Sequence, residues 1–173
     1  MLHRMKGLIV VVLLFTCSGL YGQSYLAEIK EKWSHSAQYF QDIAALMPDS
    51  LYDFKPTPKS MTFGEQLVHA AQNMINLSRN QLAFTNQEIP EKPLDQASPS
   101  VVRHFLKSAF DYASQAIGEE TEETLNRTTK FFAGPKTHRQ IINLMHDHAT
   151  HHRGQLIVYL RLNAIAPPKY VGW

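Results

Sequence analysis

Four stretches of this 173-residue chain carry apolar residues at the three-to-four-residue spacing of an amphipathic helix, and none sustains the two-residue alternation of a strand. Such a helix buries one stripe and leaves the rest wet, so four of them in one chain hide their stripes most readily against each other. The first runs from about Tyr25 to Leu46, with Leu26, Ile29, Trp33, Tyr39 and Phe40 among its apolar positions, and Pro48 ends it. A connector rich in turn residues follows. Thr62, with Glu65 three residues later, has the form of a capping box and opens the second helix, about Phe63 to Leu82. After a loop over 86–99, Ser98-Pro99-Ser100 starts a third helix, about Val101 to Ile117, which stops at Gly118. The polar stretch 119–127 has room for an extra turn. Gly134-Pro135-Lys136-Thr137 precedes the fourth helix, about His138 to Leu162, and Pro167-Pro168 forbids its continuation. The tail 169–173 is expected to fold back, because Tyr170 and Trp173 gain by burial. The pattern predicts an all-α four-helix bundle.

The N-terminus reads differently. Arg4 and Lys6 precede an apolar run over 7–15 that is too short to span a bilayer, and small or turn-prone residues follow as far as Gly22. This is the form of a signal peptide over 1–22, with the folded domain over 23–173 and an exported, periplasmic or secreted location. The alternative is lipid attachment at Cys17. Removing 1–22 takes Arg4 and Lys6 from the 17 Lys+Arg and nothing from the 15 Asp+Glu, so the remaining chain carries no formal net charge. Without a basic excess or a basic patch, nucleic acid is not an expected partner. Cys17 is the one cysteine, so the domain has neither an intrachain disulfide nor a cysteine nucleophile.

The densest chemistry is His146-Asp147-His148-Ala149-Thr150-His151-His152-Arg153-Gly154-Gln155, with four of nine histidines within seven residues of the fourth helix. Residues four apart on a helix lie one above the other, so His148 and His152 can turn ring nitrogens toward one ion. At about 100° per residue they fall within the stripe of Ile141, Met145, Leu156 and Tyr159, whereas His146 and Arg153 point away from it. His151 lies at the stripe's edge, where a His148/His151 pair is less well aimed. Two readings stand at this point: a metal pair, or core histidines bonded to backbone and neighbours.

Bundle cores commonly draw metal ligands from facing helices. The spare histidines are His35, His69, His104 and His138. His69 sits off the stripe of Phe63, Leu67, Ala70, Met74 and Leu77, on a polar line with Gln66, Asn73, Asn76 and Asn80. That line is either a solvated face or the wall of a polar cavity.

Three blocks carry a family resemblance: Pro48-Asp49-Ser50-Leu51-Tyr52-Asp53-Phe54-Lys55-Pro56; Met61-Thr62-Phe63-Gly64-Glu65-Gln66-Leu67-Val68-His69; and His148 through Gln155 with Leu160-Arg161-Leu162-Asn163 and Pro167-Pro168. In this order the chain resembles the DinB-like family of metal-binding four-helix bundles, which includes the YfiT-type proteins. The resemblance implies a single divalent metal held by one histidine of the second helix and two of the last, here His69, His148 and His152. Some relatives are thiol-dependent transferases or isomerases. The signal peptide is the departure, since many relatives look cytoplasmic.

Three neutral imidazoles leave a divalent ion its charge and an open position, the pattern of catalytic rather than structural sites. Zinc or nickel is the expected ion, although such a donor set also accepts iron or copper. Gln155 is a candidate supporting or substrate-binding group, and His151 a candidate for orienting a ligand or acting as a base. Gly154 is read as a close-packing position. The expected partners are a small-molecule substrate and a low-molecular-weight thiol, which a chain without its own cysteine must receive as a cosubstrate; a homodimer is allowed. A metal-dependent transferase or hydrolase, a non-catalytic metal-containing binding or stress-related module, and a bundle without physiological metal all remain open.

Overall fold

In the computed structural model, which describes residues 24–171, the chain folds into four helices: α1 (Tyr25–Leu46), α2 (Phe63–Gln81), α3 (Pro99–Glu119) and α4 (His138–Leu162). Short 3-10 turns lie at Asp49–Leu51 and Thr124–Asn126, and a two-residue antiparallel hairpin pairs β1 (Thr128–Thr129) with β2 (Lys136–Thr137) just ahead of α4. The expected leader over 1–22, including Cys17, lies outside the described residues, as does Trp173.

Local chemistry sets most helix starts. Ser24 accepts from the Ala27 amide at 3.3 Å, and the Thr62–Glu65 box closes in both directions, at 2.7 and 3.0 Å. Thr137 and Gln140 form a second capping box at the start of α4. Helix α3 opens differently: Pro99 takes its first position, where the missing N–H costs nothing, and the Ser98 hydroxyl pairs with Ser100. That helix is also two residues longer at each end than expected and runs through Gly118. Glu120 instead donates to the Ile117 carbonyl at the terminus.

Helix α1 packs on α3 and α4, and α2 packs on the same two, so α1 and α2 stand diagonally across the bundle. The connectors over 47–62 and 120–137 cross those diagonals. Each helix therefore has two neighbours and a buried arc wider than a single stripe. Trp33, Phe40, Phe63, Leu67, Met74, Phe110, Met145 and Leu156 fill the centre, each side chain contributing about 1.5–3 kcal/mol by leaving water. Trp33 packs against Phe110 with ring centroids 5.3 Å apart, and its indole N–H donates to the Phe110 carbonyl at 3.4 Å.

Helix α4 ends before Pro167, at a reversal in which Ala164 takes φ +57° and the Ile165 amide bonds back to the Leu160 carbonyl. The tail then turns back, with the Tyr39 hydroxyl donating to the Pro168 carbonyl at 3.4 Å. The expected burial of Tyr170 does not follow, since it is 71% exposed. Gly154 is likewise not a packing position: a Cβ there would meet nothing within 4 Å. The close glycine is Gly64, whose added Cβ would lie 3.5 Å from Tyr52. No helix among the described residues is long and apolar enough to cross a membrane.

Candidate metal centre

Helices α2 and α4 are neighbours, and the histidines of both meet at their interface. Suitable nitrogens of His69, His148 and His152 all lie within 4.8 Å of one another. The three rings surround one point, with centroids 4.3 Å apart for His148–His152, 4.7 Å for His69–His152 and 5.2 Å for His69–His148. His152 is buried, His148 half-buried and His69 exposed, so the cluster runs from the core to the surface.

The hydrogen bonds decide which nitrogens are available. His152 Nδ1 stands 2.9 Å from Gln66 Oε1, and the amide nitrogen of Gln66 donates to Gln155 Oε1. With its oxygen toward the ring, Gln66 accepts from Nδ1–H and leaves Nε2 of neutral His152 as a bare lone pair. That atom faces His148 Nε2 at 3.1 Å. Two nitrogens about 2.0–2.1 Å from a common ion at a tetrahedral angle stand about 3.3 Å apart, so the observed spacing is close to one edge of a coordination shell. His148 Nδ1 is buried without a hydrogen-bond partner, so no protein acceptor competes for the tautomer of this ring. The donor set fits a divalent ion.

The electrostatics favour the ligating form. Burial, then the neighbouring rings of His69 and His151, push His148 down to about 4. Burial, then His148, His69 and His151, do the same to His152. Both rings stay neutral at physiological pH and keep their lone pairs.

Gln155 and His151 form the edge of this network, because the Gln155 amide stands 2.6 Å from His151 Nε2 and its oxygen accepts from Gln66. His151 is exposed and outside the ligand cluster. The three histidines that meet here are the ones named as candidate ligands in the sequence; Gln66 as the partner of His152 is not among the residues singled out there. Its signal was its place on the polar line of α2, three residues before His69, where it is only 4% exposed. The line divides along its length: Gln66 is buried and Asn73 half-buried, while Asn76 and Asn80 face solvent.

The other histidines go elsewhere. His138 pairs with Glu120 at 2.9 Å, and His104 is exposed on α3. His146 points away from the ligand stripe as expected, but into the α1 interface, where it is 7% exposed and lies edge-on to Trp33. Burial, then Lys32 and Arg153, push it down to about 4. Arg153 follows the same course, its guanidinium 5.1 Å from the Tyr39 ring centroid.

A cleft of about 820 Å³ opens beside His69, between the start of α2 and the loop before α3. Glu65, Val68, His69 and Gln72 line one wall, and Lys92, Leu94, Asp95 and Ala97 the other. Its volume suits a small organic molecule. Glu65, on the same helix face as His69, also closes the capping box with Thr62.

A family model described as the DinB family matches residues 22–170. The uncharacterized protein YjoA of Bacillus subtilis (strain 168) is 27% identical over 124 residues, which cover 69% of this chain and 79% of that protein. Among solved structures, the fold is similar to a DinB-like protein from Bacillus cereus ATCC 10987, with a TM-score of 0.72 at 17% identity over 83% of this chain and 95% of the other. The crystal structure of Bacillus subtilis YjoA gives 0.67 at 20% identity, over 83% and 96%. A conserved protein from Enterococcus faecalis gives 0.60 at 15%, over 82% and 98%. At these identities the structural likeness concerns the fold.

Proposed function

We propose that this chain, which belongs to the DinB family, holds one divalent metal ion on His69, His148 and His152 and acts as a metal-dependent transferase or hydrolase on a small molecule. The observation that carries the reading is the convergence of three imidazole nitrogens within 4.8 Å, with His152 held by Gln66 in the tautomer that offers Nε2. A bound zinc or nickel ion would supply Lewis acidity to a substrate atom, or to a water or thiol nucleophile, near neutral pH.

The protein's own part is positional. Gln66 fixes the His152 ring, and Gln155 ties Gln66 to His151, so the three side chains hold the rim of the centre as one hydrogen-bonded unit. The cleft that includes His69 receives the body of the substrate and partly withdraws it from water. A thiol nucleophile would arrive as a low-molecular-weight cosubstrate, since the only cysteine is Cys17. The leader form of residues 1–22 in the sequence supports an exported location for domain 23–173.

Two measurements test the reading. Protein purified without chelator is expected to hold about one divalent ion per chain. The holoprotein is expected to turn over members of a panel of model esters and thiol–electrophile pairs, while metal-stripped protein and His152→Ala stay at the buffer rate. Absence of metal would end the proposal. Metal without turnover above buffer would remove the enzyme and leave a metal-containing binding module.

A further inference from the structure

Two polar atoms on the interface of α2 and α4 are left over by its hydrogen bonds: His148 Nδ1 and Asn73 Oδ1 are each buried without a partner. Two contacts fix how these helices run past each other, Gln66 with His152 and the Ser78 hydroxyl with Met145 Sδ at 3.7 Å. Asn73 is seven residues past Gln66 and five before Ser78, while His148 is four before His152 and three after Met145. Both therefore sit just past midway between the same two contacts, at one level of the interface. They also share its faces, because Gln66, His69 and Asn73 stand at i, i+3 and i+7 on α2, as Met145, His148 and His152 do on α4.

Tautomers explain why the two atoms do not bond. With Gln66 accepting from its Nδ1–H, His152 offers Nε2 as a lone pair, so the 3.1 Å contact between the two Nε2 atoms requires the proton on His148 Nε2. His148 Nδ1 is then an acceptor, and it has no proton to give to the amide oxygen of Asn73. A divalent cation shared by both Nε2 atoms reverses this. The His148 ring is neutral before and after: the Nε2 proton leaves to solvent, and one is taken up at Nδ1. The buried nitrogen becomes a donor and needs an acceptor. Among the described residues, Asn73 Oδ1 is the one buried and unbonded side-chain atom on α2, the helix that faces His148.

Resting on the three-histidine reading above, we infer that Asn73 is a positioning residue of the metal centre, whose Oδ1 takes the His148 Nδ1–H, directly or through one water, when Nε2 binds the cation. Asn73 does for His148 what Gln66 does for His152, but only in the loaded state.

Zinc is the probe, because it is diamagnetic and leaves the imidazole resonances visible. In 15N-labelled protein the His148 proton is expected on Nε2 without zinc and on Nδ1 with it, where it exchanges slowly with solvent. Asn73→Leu has the same heavy-atom shape and keeps all three rings. It is expected to weaken zinc about tenfold in competition with a chelating indicator, and to put the Nδ1 proton into fast exchange. Asn73→Ala, which only removes atoms, should repeat the loss, whereas Asn73→Asp, which keeps an oxygen in place, should restore wild-type affinity or exceed it. Asn80→Leu, at the exposed end of the same polar line, should change nothing. Undiminished affinity in both Asn73→Leu and Asn73→Ala overturns this inference alone, as does a loss in Asn73→Asp equal to that in Asn73→Leu. Wild type that takes up no zinc or other divalent ion overturns the three-histidine reading and this inference with it.

Discussion

Helix α4 has two buried sides, and each carries histidines into the protein with opposite consequences. Toward α2, His148 and His152 meet His69 and the side-chain oxygen of Gln66, so lone pairs converge and one ring is oriented by an acceptor. Toward α1, His146 lies edge-on to Trp33, and Lys32 and Arg153 act on it as neighbouring cations. Both environments hold imidazole neutral, and burial is the leading cause on each side. Neutrality alone therefore does not make a ligand. The neighbours do: the α2 side brings ring nitrogens to a common point, whereas Lys32 and Arg153 on the α1 side disfavour further positive charge at His146.

The sharpest way to break this contrast is to remove rings and weigh metal. His148→Ala or His152→Ala is expected to abolish stoichiometric metal while the helical circular dichroism is retained, because the core around Met145 and Leu156 is untouched. His69→Ala is expected to cost most of the remaining affinity. His146→Ala, His104→Ala and His35→Ala, which lie outside the cluster, are expected to keep about one ion per chain. Equal losses from His69 and His146 would mean that the two sides of α4 do not differ in the way their geometry states.

A smaller effect tests the orienting oxygen. Gln66→Leu preserves volume and keeps all three ligand rings while deleting the acceptor at His152 Nδ1, so metal affinity is expected to fall about 10- to 100-fold by competition with a chelating indicator. It should also release Gln155, loosening its bond to His151. An unchanged affinity would make the His152–Gln66 contact incidental, and the difference between the two sides would then rest on ring count alone.

How far the sequence reveals this arrangement depends on how local each feature is. The bounds of α1 and α4, the Thr62–Glu65 box and the His148/His152 pair depend on neighbours within one or two turns, and all are legible from spacing. Gln66 and His69 are less so, because their burial depends on which helix lies beside α2. A polar line reads the same whether it faces solvent or a polar neighbour. For His69, family resemblance supplied what phase did not. Arg153 and His146 expose the limit of single-stripe reasoning: in a bundle where each helix touches two others, pointing away from one stripe can mean pointing into the second interface. The length of α3 beyond Gly118 was missed for a different reason, since glycine permits a helix end without requiring one.

The smallest expected effect separates both buried sides from the third, wet side of α4. Gly154 stands between Arg153, which packs toward α1, and Gln155, which packs toward α2, yet a Cβ at this position meets nothing within 4 Å. Its φ is not in the left-handed region, so alanine needs no backbone change. Glycine inside a helix costs about 0.5–1 kcal/mol relative to alanine, chiefly through the entropy of the unfolded chain. Gly154→Ala is accordingly expected to stabilise the protein by about that amount in chemical denaturation, with metal content unchanged. A destabilised variant would show that another surface, absent from the isolated chain, closes on this side of α4, in which case the sequence-based reading of Gly154 as a close-packing residue would hold for an assembly rather than for the single bundle.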